Sequence, residues 1–239
     1  MNNTKRIKTA VVFLFIPLVS VFLLVLCEAI GTAANKNISL EELIKETQKM
    51  SPKPNEMTMV WWIPEEFWQI TFSQGEISEE DVKELLAVVS PYTIFVVVEG
   101  KIGVIGNVTY SSEDEILNKL KVIDTRGVSR VPLIGDETET ADIKTFMSIL
   151  KPIIANMLGP LGENMHFFLF PSSDEDGKKI YDPMKEGTFT ILLGEEEFKW
   201  RLPLGSLLSP KVCPKCGEKL SGAYKYCPWD GTKLPETGK

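Results

Sequence analysis

Cys213-Pro-Lys-Cys216-Gly217 and Cys227-Pro-Trp-Asp230-Gly231 are two copies of one pattern, with ten residues between Cys216 and Cys227. Each copy reads as a tight turn that offers two ligands to a single ion, and the glycine after the second ligand lets backbone amides point at the thiolates. A segment of about twenty residues cannot bury enough apolar surface to fold alone, so metal binding becomes its folding energy. The pattern therefore predicts one site made by Cys213, Cys216, Cys227 and Asp230.

The paired spacing resembles the zinc-ribbon family over residues 212–234, about a tenth of the chain. The resemblance implies a structural, four-coordinate Zn2+ site. At the fourth place the family usually has Cys and this chain has Asp230. A carboxylate oxygen can ligate zinc at roughly 2.0–2.2 Å, so the site can still close. Trp229, Tyr224 and Tyr226 are expected to form the small core of the ribbon. Two other readings stand beside this one. In an oxidising compartment two of the cysteines would pair and the third thiol would be left over. Cys213-Pro-Lys-Cys216 also has the outward form of a redox dithiol, although such motifs open a helix and Gly217 does not favour one.

The other end of the chain sets the compartment. Lys5, Arg6 and Lys8 precede an almost unbroken apolar run over residues 10–27, followed by the small residues Gly31, Thr32, Ala33 and Ala34. Basic residues ahead of the run keep the N-terminus inside. Residues 1–34 are thus expected to be a signal peptide cut after Ala33, or an uncleaved anchor crossing the membrane through residues 10–27. Lipid attachment at Cys27 is a third form of the same export. Each outcome puts the remaining residues outside the cytoplasm, as a periplasmic, extracellular or membrane-anchored domain.

The chain holds 26 Lys plus Arg against 33 Asp plus Glu, a net charge of −7. Because the first 34 residues carry three of those cations and only Glu28, the rest is near −9. Such a balance disfavours nucleic acid as a partner. Residues 209–239 are the exception, with six Lys against Glu218, Asp230 and Glu236.

Between these ends the pattern predicts an α+β fold, mainly an antiparallel sheet or small sandwich with inserted helices. Residues 35–56 read as a short helix or stalk, capped by Ser39 with Glu42 and stopped by Ser51-Pro52. Residues 57–208 read as the β-rich domain and 209–239 as the ribbon and tail. Ser78 with Asp81 caps a helix to about Val89, and Ser112 with Glu115 caps a short helical turn. Apolar residues at three and four spacing predict a helix over 140–158, kinked at Pro152. Three hairpins are expected: residues 94–98 with 102–105 around Glu99-Gly100, residues 120–124 with 128–134, and residues 188–193 with 197–202 around Gly194. Residues 166–170 form a further strand.

No catalytic constellation emerges. His166, the single histidine, sits on that last strand and reads as structural. Ser172, Asp174, Asp176 and Gly177 match a calcium loop only in part, since the twelfth position is Pro183, and they read as a turn. Trp61, Trp62 and Trp68 fill a core or, alternatively, stack on a sugar or peptide. Glu195, Glu196 and Glu197 mark a solvated hairpin tip, and Asn37 and Asn107 match the glycosylation pattern. Gly100, Gly103 and Gly106 lead into strand rather than helix and make no phosphate loop.

The function expected from these readings is an exported or membrane-tethered, non-catalytic binding or assembly module whose partner is a protein or other envelope component. The alternatives are an exported thiol oxidoreductase or zinc-dependent enzyme using Cys213 and Cys216, and a carbohydrate or peptide binder through the Trp61–Trp68 surface.

Overall fold

The computed structural model describes residues 39–74, 78–135 and 140–236. The expected signal or anchor lies outside the described residues, and among these no helix is long and apolar enough to cross a membrane.

The run Tyr-Thr-Ile-Phe-Val-Val-Val has no polar alternation, and a strand of that kind must be covered on both faces. It becomes β3 (Tyr92–Val98), buried at every position. β3 lies inside a four-stranded antiparallel sheet of order β1-β2-β3-β8, with β1 at Gln48–Met50, β2 at Met59–Ile63 and β8 at His166–Pro171. Trp62 faces Phe95 across β2–β3, and Phe95 faces Phe168 across β3–β8. A second antiparallel sheet has the order β10-β9-β6-β7, with β6 at Leu120–Ile123, β7 at Ser129–Arg130, β9 at Gly187–Leu193 and β10 at Glu196–Leu202. Here burial alternates along β10. Phe198, Trp200 and Leu202 point inward while Glu197, Lys199 and Arg201 face solvent.

Side chains alternate across a strand, so Trp61 and Trp62 leave β2 on opposite faces. Trp61 meets Phe67 of α2 (Glu65–Ser73) at 5.4 Å between ring centroids, and Trp62 meets Phe189 of β9 at 4.8 Å. The first sheet therefore meets a ring of α2 on one face and a ring of β9 on the other. Trp68 of α2 also packs on Phe146 of α5 (Ala141–Leu158), and Phe189 stacks on Trp200 at 5.1 Å. Such ring pairs contribute about 0.5–1.5 kcal/mol each beyond their area. All three N-terminal tryptophans are thus core residues, and no stacking surface is made from them.

Local capping chemistry lands as expected. Ser39 accepts the amide of Glu42 at the start of α1 (Leu40–Thr47), Ser78 opens α3 (Glu79–Val89), and Ser112 with Glu115 closes a capping box on α4 (Glu113–Leu117). Thr140 caps α5, which carries Pro152 and is followed by α6 (Pro160–Glu163). The hairpins β6–β7 and β9–β10 also form, the first shorter than expected.

One expected hairpin fails on long-range pairing. The strand at residues 94–98 does not turn back on residues 102–105. Instead β4 (Gly100–Ile102) pairs with β5 (Val108–Tyr110), while β3 takes β2 and β8 as neighbours because a fully apolar strand gains more in the middle of a sheet. Of the helix or stalk expected before residue 57, the helix forms as α1, and the segment packs on the body. Its β1 pairs with β2, Leu40 and Leu43 join the core, and Trp61 donates its indole N–H to the Thr47 hydroxyl at 3.1 Å.

Candidate metal centre

Two short strands, β11 (Lys211–Val212) and β12 (Lys219–Leu220), pair antiparallel and present the first cysteine turn between them. In that turn the Cys213 amide donates to the Glu218 carbonyl at 2.9 Å, and the Gly217 amide to the Cys213 carbonyl at 2.9 Å. The second turn repeats the bonding: Cys227 donates to Thr232 at 2.8 Å and Gly231 to Cys227 at 2.9 Å. Gly217 and Gly231 sit at φ of 75° and 72°, a region that other residues reach only with strain. The sequence repeat is therefore a structural repeat, and both glycines are required by backbone conformation.

The turns bring all four expected donors together, with one ligand atom from each of Cys213, Cys216, Cys227 and Asp230 within 4.8 Å of every other. Cys216 Sγ and Cys227 Sγ are 3.7 Å apart, and Cys213 Sγ lies 3.6 and 3.9 Å from the two Asp230 oxygens. A tetrahedral ion bound at about 2.3 Å sets its ligand atoms about 3.8 Å apart, so this spacing fits one. The three cysteines are free thiols, far from disulfide contact. Cys213 and Cys227 are buried, Asp230 is half-buried and Cys216 is exposed.

Electrostatics favours a cation at the centre. The Cys216 amide, helped by that of Lys215 and opposed by desolvation, holds the Cys213 thiol below its ordinary range. At Cys216 the Glu218 amide favours the thiolate, but desolvation and the hydrogen bonds and charge of its cysteine neighbours outweigh it and push the thiol up to about 11. The Thr232 amide, donating at 2.8 Å, and the Thr232 side chain bring Asp230 down to about 2. Four groups that each bind metal as anions converge, and a cation would relieve the charge crowding that, with desolvation, keeps the Cys216 thiol protonated.

The interior of this segment differs from expectation. Cys213, Leu220, Cys227 and Leu234 form a small buried cluster of their own, whereas Tyr224, Tyr226 and Trp229 are exposed, Trp229 by 75%. With two aliphatic side chains and two buried cysteines filling the space between the turns, the rings have no interior left to occupy.

A contact with no sequence signature seats the segment on the body. The Glu46 carboxylate of α1 accepts the Gly205 amide at 2.7 Å, the Ser206 amide at 2.9 Å and the Ser206 hydroxyl at 2.6 Å. A Cβ on Gly205 would stand 2.1 Å from Ser221 Oγ, and one on Gly222 would stand 2.5 Å from both Leu208 Cβ and the Ser209 carbonyl oxygen. Lys225 adds an ion pair with Glu186 at 2.6 Å. Beside the seat lies an open cleft of roughly 1120 Å³, lined by Ser39, Glu42 and Lys45 on one side and Pro210, Lys219 and Ser221 on the other. A glutamate and the two small residues it holds some 160 positions away reveal nothing of this in sequence, and the glycines at 205 and 222 are its only trace.

The remaining candidates are not assembled into a site. His166 Nδ1 is 3.7 Å from a Glu113 oxygen, on the strand where it was expected. Asp174 spends its oxygens on the amides of Asp176 and Lys178 and on Arg126, which makes a turn rather than a calcium loop. Glu196, at the expected hairpin tip, pairs with Lys53 at 3.4 Å. Among the described residues the Cys213, Cys216, Cys227 and Asp230 cluster is the one group of such side chains able to hold a metal ion. Comparison of the chain with protein-family models, curated proteins and solved structures gave no match.

Proposed function

We propose that this chain is an exported or membrane-tethered, non-catalytic protein of the cell envelope, in which a zinc ribbon and an α+β body form a binding or assembly module. The reading is carried by the four protein donors converging within 4.8 Å, which leave a tetrahedral ion no open position for water or substrate. Three thiolates and one carboxylate in that geometry suit Zn2+. When bound, the ion supplies folding energy to a segment whose own core is four residues. Export rests on the basic start and the apolar run at residues 10–27. The facing rings of Trp62, Phe95 and Phe189 support reading the two sheets as a small sandwich.

The test is the metal content and free-thiol count of the full chain, purified without added zinc and without reductant. The expected result is one zinc per chain, with Cys213, Cys216 and Cys227 shielded from alkylation until a chelator is added. A zinc-free chain holding a reducible bond between Cys213 and Cys216 would overturn the structural reading in favour of a thiol oxidoreductase.

A further inference from the structure

Tyr224, Tyr226 and Trp229 stand exposed within six residues of one another on a segment that is basic, while the chain as a whole carries −7. The rings are interleaved with ammonium groups. Lys211 Nζ reaches the Tyr224 carbonyl at 2.8 Å, and Tyr226 lies directly opposite Lys233 in an antiparallel bridge, so their side chains share a face. Lys215 stands exposed in the first cysteine turn. Tyr and Trp with lysine is the composition that settles at a membrane–water interface, where the amphipathic rings lie at headgroup depth and the cations meet anionic lipid.

Position within the fold adds a second argument. Ser39 and Glu42, where the chain enters the body, line one cleft with Lys219, Ser221 and Gly222 of the ribbon. Eleven residues, 28–38, separate the end of the apolar run from Ser39, a reach of at most about 40 Å when fully extended. A chain held by its apolar run therefore keeps the ribbon residues that line this cleft within about that reach of the bilayer it would be tethered to.

We infer that the exposed rings of Tyr224, Tyr226 and Trp229, together with the lysines of the same segment, dock on the surface of an anionic lipid bilayer, giving the tethered protein a second point of membrane contact. The inference rests on the tethered reading of residues 10–27. A spanning anchor already holds the chain at the membrane, so a second contact there changes how close the body lies to the lipid surface. It also orients the body, since a tether alone leaves the domain free to swivel.

The molecule carries its own reporter. Of its five tryptophans, Trp61, Trp62, Trp68 and Trp200 are buried and Trp229 alone is exposed. The experiment is acrylamide quenching of tryptophan fluorescence in the full, zinc-loaded chain, reconstituted in vesicles of phosphatidylcholine alone or phosphatidylcholine mixed with phosphatidylglycerol. The expected result is loss of the acrylamide-quenchable fraction with the anionic lipid and its return at high salt, which screens the attraction. The variant Lys233→Glu, opposite Tyr226 and outside both cysteine turns, should stay more quenchable than the native chain on the anionic vesicles while keeping its zinc, which separates lost docking from lost folding. Equal quenching in the two vesicles, with the chain retained in both, overturns the docking and leaves the tether standing. Protection that is the same on neutral lipid and indifferent to salt overturns the assignment to anionic lipid. A chain that stays with neither vesicle overturns the tether and the docking with it.

Discussion

Among the described residues Asp124 is the acidic side chain most fully enclosed in the body. Its carboxylate accepts the amides of Arg126 and Val128, each at 2.9 Å, and the Arg130 Nε–H at 2.8 Å, closing the β6–β7 turn around Gly127. Burial opposes its charge, but those two amides and the Arg130 guanidinium prevail and hold the carboxyl below its usual range. A depressed carboxylate stabilises the fold above its ordinary pKa and loses that contribution as pH falls through the lowered value. The native chain should therefore lose stability on acidification below about pH 4. Asp124→Asn should be less stable at neutral pH by about 1.5–3 kcal/mol, the worth of hydrogen bonds to a charged group, and should have a flatter acid limb. Chemical denaturation at a series of pH values checks both, and parallel pH profiles for the two proteins would contradict the assignment. The spacing Asp124-Thr125-Arg126-Gly127 shows a turn in sequence, but not that its aspartate is enclosed, because enclosure comes from the strands that cover it.

At the scale of elements, what could be read in sequence was what short-range chemistry decides. Ser39, Ser78 and Ser112 start helices because their hydroxyls accept amides three residues on, and the β9–β10 hairpin turns at Gly194, whose φ is 63°. Partners chosen across the chain were not legible. Glu99-Gly100 has the composition of a hairpin turn, yet Gly100 serves close approach, since a Cβ there would lie 2.9 Å from Val108. The metal centre was legible in its four donors and illegible in its filling, because Tyr, Trp and Leu are equally plausible inside a segment until two leucines prove sufficient. The seat of the ribbon gives a prediction at this scale. Gly222→Ala places a methyl against the backbone carbonyl of Ser209, which cannot yield as a flexible side chain would. It should lift the ribbon from residues 205–209, read as faster amide exchange at Gly205 and Ser206, while one zinc per chain is retained. Unchanged exchange there would mean that the backbone absorbs the methyl and that the close approach is not what seats the ribbon.

At the scale of the whole molecule, the buried side chains among the described residues fall into two separate clusters, a large one in the body and the four-residue one around the cysteine turns. Separate cores imply separate melting. Replacing Cys213 and Cys216 by Ser, or stripping metal with a chelator, should unfold residues 212–234 and leave the thermal transition of the body nearly where it was. Calorimetry of the two forms checks this, and a single transition that moves as one would join the ribbon to the core. The Glu46 contact carries a further consequence. The helix through which the chain enters the body grips, by three hydrogen bonds, the segment through which it leaves. The body is in effect a loop fastened at its neck. A pull applied between Ser39 and Leu207 would load that carboxylate and the buried side chains of Leu40 and Leu43 before it reached the sheets, which lie inside the loop they close.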